Sequence, residues 1–263
     1  MENKYRIIDT HAHYDDEAYD EDRAEVLKQI KEAGVEQLMN IACSKKSIET
    51  TNNLTLEYDF IYGALGIHPS DADDYNEEVR ADIISKVKSN KKILAIGEIG
   101  LDYYWNKENK QNQKSAFIKQ IEIANELELP IVIHTREAIS DTIDILKNQI
   151  TVVNKGIFHC CPLNLDLIRE GLKLGFYISF AGPITFKNSK NATEAISLVP
   201  LDRILVETDS PYLAPEPKRG TRNDSSNLIY TLQKIADVKQ MSMEEVAKIT
   251  YENTKNILKI NTN

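Results

Sequence analysis

The sequence predicts a TIM-type (β/α)8 barrel, and three features lead there. Eight short runs rich in Ile and Val recur along the chain, longer polar-apolar helical stretches separate them, and the total is 263 residues. Strands alternating with helices of ten or more residues imply a parallel sheet covered by helices. Eight such units in a chain close to the roughly 250 residues of a (β/α)8 barrel favour closure over an open doubly wound sheet. One domain over residues 1–263 is therefore expected.

The apolar runs are Arg6–Asp9, Gln37–Ala42, Ile61–Gly66, Ile93–Gly97, Ile131–Ile133, Gly156–His159, Phe176–Phe180 and Ile204–Val206. Helical spacing of apolar residues covers Glu17–Ala33, Lys45–Tyr58, Asn76–Ser89, Lys110–Leu127, Ala138–Asn148, Leu165–Leu174 and Ser189–Leu198. Two further helices follow the eighth strand, near Ser225–Ala236 and Ser242–Leu258. Punctuation agrees: Gly34 follows the first helix, Pro130 opens the fifth strand, and Ser242 with Glu245 forms a capping-box pattern. Long loops are expected at Gly66–Tyr75 and Ser210–Asp224, at the strand ends where barrel active sites lie.

Composition narrows the partners. An apolar share of 41% and a charged share of 28% are ordinary for a globular chain. No run of 18 apolar residues reads as a membrane span, and the polar start, Met1–Arg6, lacks the pattern of a secretory signal. A cytoplasmic protein is expected. The three cysteines, Cys43, Cys160 and Cys161, give no disulfide framework and read as small buried hydrophobes. Cys161 as a soft metal ligand is the alternative. A formal charge of −9 argues against a broad grip on duplex nucleic acid, which needs a basic surface. It leaves room for a substrate carrying a few phosphates, held locally. Without a heptad seam or a large apolar surface helix, a monomer is the default.

The five histidines carry the functional argument. His11, His13, His68, His134 and His159 each fall at or just past the end of an expected strand. His11 and His13, two apart, share a face and can converge on one centre, although an isolated H-x-H serves equally as two polar turn residues. Asp9 has the same parity and is expected one layer deeper, orienting an imidazole. Glu98 ends an apolar strand between glycines, where a charge is costly unless paired or bound to a cation. Asp102 reads as a loop residue before it reads as a supporting acid. His134 and His159 each end a strand, and Asp209 follows the eighth, with Glu207 at the same parity below it.

Four histidines and two carboxylates suffice for two divalent ions. His11, His13, Asp209 and a bridging Glu98 would hold one; Glu98, His134 and His159 would hold the other. The imidazole-rich shell favours zinc, manganese or a similar ion over magnesium, though any of the three remains open. Asp209 would also take the proton from the attacking water. With a hydroxide bound, the centre carries a net charge of about +1, which suits displacement at phosphorus and tolerates a carboxyl ester or amide.

These residues resemble the TatD-type metal-dependent deoxyribonucleases of the amidohydrolase superfamily. The matching segments are Asp9–His13, Gly66–Pro69, Gly97–Tyr103, Ile133–Arg136, His159-Cys160 and Glu207–Pro215. The resemblance implies a distorted TIM barrel and a phosphodiesterase with 3′–5′ exonuclease action on short or single-stranded DNA. It implies metal ligands at the same six positions, and a role for His68 as proton donor or phosphate contact. Arg136 and Arg219 would neutralise phosphate. The chain departs from the family pattern at Ser70, at Cys161-Pro162-Leu163 and at 221–225. Those differences bear on substrate choice and leave the ligand set intact. The alternatives are an amidohydrolase acting on carboxylic esters or amides, for which no carbamate-forming lysine is found, and a non-catalytic barrel scaffold, which all six filled ligand positions argue against.

Overall fold

A computed structural model describes residues 5–260. Residues 1–4, which open the expected signal-free polar start, lie outside them. The chain has the TIM-type (β/α)8 fold, with eight parallel strands taken in chain order and helices between them. The strands are β1 (Ile7–Ala12), β2 (Val35–Ile41), β3 (Ile61–Leu65), β4 (Ile93–Asp102), β5 (Ile131–Arg136), β6 (Gly156–Phe158), β7 (Tyr177–Phe180) and β8 (Ile204–Val206). The helices are α1 (Arg23–Glu32), α2 (Lys45–Glu57), α3 (Glu77–Ser89), α4 (Lys110–Glu126), α5 (Ile139–Asp144), α6 (Leu165–Lys173), α7 (Ala192–Leu198), α8 (Leu228–Lys239) and α9 (Met243–Leu258). Among the described residues, no helix is long and apolar enough to cross a membrane.

Every expected element is present, with instructive shifts at the ends. The first helix begins at Arg23, because Asp16 caps a separate 3₁₀ turn, Glu17–Tyr19, that buries Tyr19. The fifth helical stretch closes in a π turn over Ile145–Gln149. The fourth strand runs five residues past its expected end at Gly97. Gly100 permits this: at φ +144° a Cβ there would stand 2.0 Å from the His134 carbonyl oxygen. Glycine lets β4 pass β5 at that distance where a side chain would force them apart.

Contacts divide the chain into two compact units. The first takes in residues up to Met39, 159–172 and 177 onward. Within it β7 pairs with β8 in parallel, through Ile178 with Ile204 and Phe180 with Val206. An isolated parallel bridge joins Ala12 to Ser210. The Ser242–Glu245 capping box starts α9, as expected, and the helix buries Val246, Tyr251, Ile257 and Leu258 while packing on β1 and β8. Arg6 pairs with Glu36, and the Tyr251 hydroxyl donates to the same carboxylate at 3.0 Å.

The second unit comprises 40–158 with 173–176. Its ladder sets Gly63 against Ile93, Ile99 against Ile133, Gly100 against His134, and Ile131 against Gly156. Two buried glutamines of α4 bond the main chain just past β3 and at the end of β4. The Gln120 amide accepts from the Ile67 N–H at 2.7 Å and donates to the Ile67 carbonyl at 3.1 Å. Gln113 does the same for Asp102, at 2.8 and 2.9 Å. One turn pair of α4 thereby holds both the approach to His68 and the end of β4, since a buried main-chain group left unmatched is costly.

Two stability predictions follow from this geometry. Gly100→Ala should lose at least about 2 kcal/mol of stability, seen as a fall of several degrees in Tm by calorimetry; an unchanged Tm would contradict the close approach. The hydrogen bond from Arg6, with burial opposing it and Tyr251 assisting, holds the Glu36 carboxyl below its ordinary value of 4.5. Its stabilisation is therefore present above about pH 4.5 and lost as pH falls through the lower folded value. Because the pair is partly exposed, it is worth no more than about 1 kcal/mol. Glu36→Gln should lower Tm slightly at neutral pH and flatten its fall below pH 4.5.

Candidate metal centre

In the first unit the end of β1 and the segment after β8 are laced together. The Asp209 N–H donates to the His11 carbonyl at 2.9 Å, and the His13 N–H to the Ser210 carbonyl at 2.7 Å. Asp209 is held with φ at +59°, a left-handed conformation uncommon outside glycine. Strain of this kind persists only where the surroundings over-determine it, and it concentrates at functional sites. Here the strained turn aims the carboxylate at the paired imidazoles. His11 Nε2 and His13 Nε2 lie 3.1 Å apart, and Asp209 Oδ1 lies 3.6 and 3.4 Å from them. Burial works to raise the Asp209 carboxyl, but the His13 contact and the neighbouring imidazoles outweigh it and hold the group below its ordinary value.

His159 also falls in this unit, its ring stacked on that of His11 with centroids 3.9 Å apart. Its Nδ1 lies 3.2 Å from Glu207 Oε1, which accepts the Cys160 N–H at 2.5 Å. Glu207 supports from below, in agreement with its parity, and its second oxygen is buried with no hydrogen-bond partner among the described residues. Asp9 behaves differently from the sequence reading. Its carboxylate accepts the Thr208 and Ser225 hydroxyls, each at 2.6 Å, and the N–H groups of Thr208 and His11 at 3.0 and 3.2 Å. It fastens the backbone frame under the histidines rather than orienting an imidazole ring. Burial raises this carboxyl to about 7, against the pull of those donors.

In the second unit Glu98 gathers the groups. It is buried, with Oε1 2.7 Å from His134 Nδ1 and 3.7 Å from His68 Nε2. The Cys43 thiol donates to Oε2 at 3.4 Å. His134 is bracketed by a second acid, with Nε2 2.9 Å from Asp102 Oδ2. Asp102 is thus a supporting acid and not the loop residue first expected; the clue was its place four residues past Glu98, on a strand that does not stop at Gly97. Burial works to raise Asp102, yet the His134 contact and the Tyr104 and Trp105 N–H groups hold it below its ordinary value. His68 caps the turn that follows it, its Nδ1 accepting the Ser70 N–H at 3.1 Å. That bond leaves Nε2 as the nitrogen carrying the proton.

The remaining candidates are placed as follows. The Arg136 guanidinium lies over the Tyr104 ring at 3.9 Å, and that of Arg219 over Phe186 at 4.3 Å; both arginines are exposed. Cys161 is buried, and burial pushes its thiol far up, so it keeps the apolar role. Cys43 is the site residue that sequence reasoning missed, since a lone half-buried cysteine carries no pattern.

These donor sets fit a cation. Two imidazole nitrogens facing each other at 3.1 Å, and one imidazole between two carboxylates, leave lone pairs directed at lone pairs unless a proton or a metal intervenes. The ligand atoms of His11, His13 and Asp209 lie within 4.8 Å of one another, as do those of His68, Glu98 and His134. Mixed imidazole and carboxylate donors suit divalent transition ions.

A (β/α)8 frame with such donor clusters at the ends of its strands defines a metal-dependent hydrolase. The chain belongs to the TatD related DNase family, whose pattern matches residues 8–259. It is 44% identical over 255 residues to a protein described as the uncharacterized metal-dependent hydrolase YabD of Bacillus subtilis, covering 97% of this chain and all of that one. It is 34% identical over 250 residues to the similarly described YcfH of Escherichia coli K12, covering 94% and 93%. Among solved structures, the TatD homologue YJJV of Escherichia coli superposes with a TM-score of 0.92 at 24% identity, covering 98% of this chain and 100% of that one.

If Asp102 sets the His134 tautomer so that Nδ1 is the ligand nitrogen, Asp102→Ala should weaken metal retention about 10- to 100-fold. Metal content after dialysis against graded chelator measures this, and wild-type retention in the variant would refute the role.

Proposed function

We propose that this chain hydrolyses phosphodiesters of short or single-stranded DNA, with two divalent ions held by His11, His13 and Asp209, by Glu98 and His134, and by His159. The observation that carries the reading is the pair of imidazole–carboxylate clusters, one in each unit, built on strand ends and supported by Glu207 and Asp102. When bound, divalent ions would lower the pKa of water and draw charge from the phosphoryl oxygens.

The protein's own groups supply the proton transfers. Asp209, held below its ordinary value, is ionised at neutral pH and accepts a proton from the attacking water. His68, with Nδ1 engaged by the Ser70 N–H, offers its Nε2 proton to the leaving oxygen. Arg136 and Arg219, exposed and fixed by the rings beneath them, neutralise phosphate in a chain whose net charge of −9 gives no general attraction to nucleic acid. A carboxyl ester or amide is the competing substrate class for the same donors.

Asp209→Asn tests the assignment. With metal content retained, turnover of a short single-stranded DNA should fall about 100- to 10,000-fold, as expected for loss of a general base. Wild-type turnover with retained metal would remove Asp209 from that role.

A further inference from the structure

The chain has one tryptophan, Trp105, and it stands in solvent. It is 69% exposed and its neighbour Tyr104 is 44% exposed, in the loop that follows β4. Single exposed apolar side chains are common and need no explanation. This pair is organised. The rings meet edge to face with centroids 4.8 Å apart. The Arg136 guanidinium lies 3.9 Å from the Tyr104 centroid and 5.5 Å from that of Trp105.

The loop is also tied to the Glu98 cluster. Asp102 Oδ1 accepts the N–H groups of Tyr104 and Trp105 at 2.8 and 2.9 Å, while its other oxygen contacts His134. Arg136 is the register partner of Asp102 across β4 and β5. Tyr103, preceding the pair, donates to Asp141 at 2.7 Å, and Lys114 holds that carboxylate at 2.8 Å. One carboxylate thus fixes both a candidate metal-binding imidazole and the backbone that presents the aromatic faces.

We propose that Trp105, Tyr104 and Arg136 form a subsite for an unpaired nucleobase of a single strand, resting on the phosphodiester reading and giving it a substrate form. The base stacks on the exposed aromatic surface, and the guanidinium meets the adjoining phosphate. Every base has a π face, so the subsite is tolerant of sequence. A base inside a duplex has both faces covered, so the subsite selects unpaired strands. It also answers how a chain of net charge −9 holds a polyanion: stacking supplies what a basic surface does not.

The single indole reports on its own occupancy. Full-length metal-loaded protein is titrated with a short phosphorothioate-linked oligothymidylate and with an abasic strand of the same length and linkages. The base-bearing strand should quench the tryptophan fluorescence and bind about 5- to 150-fold more tightly, the range for stacking one base. The abasic strand should leave the fluorescence unquenched. In Trp105→Ala, the affinity ratio of the two labelled strands, read by anisotropy, should collapse towards one, and Trp105→Phe should restore most of it. Equal quenching by both strands, an unchanged ratio in Trp105→Ala, or no binding of either strand would overturn the subsite. Since the readout is binding, equal affinities alongside metal-restored DNA cleavage would remove the subsite and keep the proposed function. Base-selective binding without cleavage would do the reverse.

Discussion

Four carboxylates among the described residues, Asp9, Glu98, Asp102 and Glu207, are buried, and their neutralisation governs how the strand ends are built. A buried charge is tolerated only when it is paired, hydrogen-bonded or bound to a cation. Here the partners are imidazoles, a thiol, hydroxyls and backbone N–H groups. Such partners spread the charge and leave ligand atoms available, whereas a lysine or arginine would occupy them with a fixed cation. Within each unit a buried acid supports a donor cluster that fits a divalent ion, Glu207 in the first and Asp102 with Glu98 in the second.

The four acids divide the work. Glu98 faces ring nitrogens directly, Asp102 and Glu207 each meet the imidazole of a candidate ligand, and Asp9 ties the turn after β8 to β1 and Ser225. Rigidity in that supporting layer matters because a ligand set loose by an ångström binds its metal less well. The left-handed Asp209 and the tight approach of Gly100 to His134 are costs of placing side chains at those points. The buried glutamines of α4 extend the same frame to the backbone around Ile67 and Asp102.

Much of this was legible in the sequence. The β/α period, the placement of all five histidines at strand ends and the capping box of α9 follow from local chemistry that a single chain displays. β4 runs past its expected end at Gly97, where Gly97 and Gly100 pack closely against Val132 and His134 of β5. Parity put Glu207 below Asp209 without showing that it meets His159, and assigned Asp9 to a ring, since parity gives a face and not a partner. Cys43, Gln113 and Gln120 carried no signal: their roles depend on what the fold brings opposite them. The Tyr104–Trp105 pair follows directly on the matching segment Gly97–Tyr103, but its exposure and its stacking on Arg136 are tertiary facts.

The most direct test of the account is to strip the protein with chelator, restore zinc, manganese or magnesium singly, and assay single-stranded DNA beside a carboxyl ester. The account predicts that a restored ion releases nucleotides from the DNA and that Glu98→Ala abolishes the release. Hydrolysis of the carboxyl ester alone, or turnover that survives complete removal of metal, would contradict it.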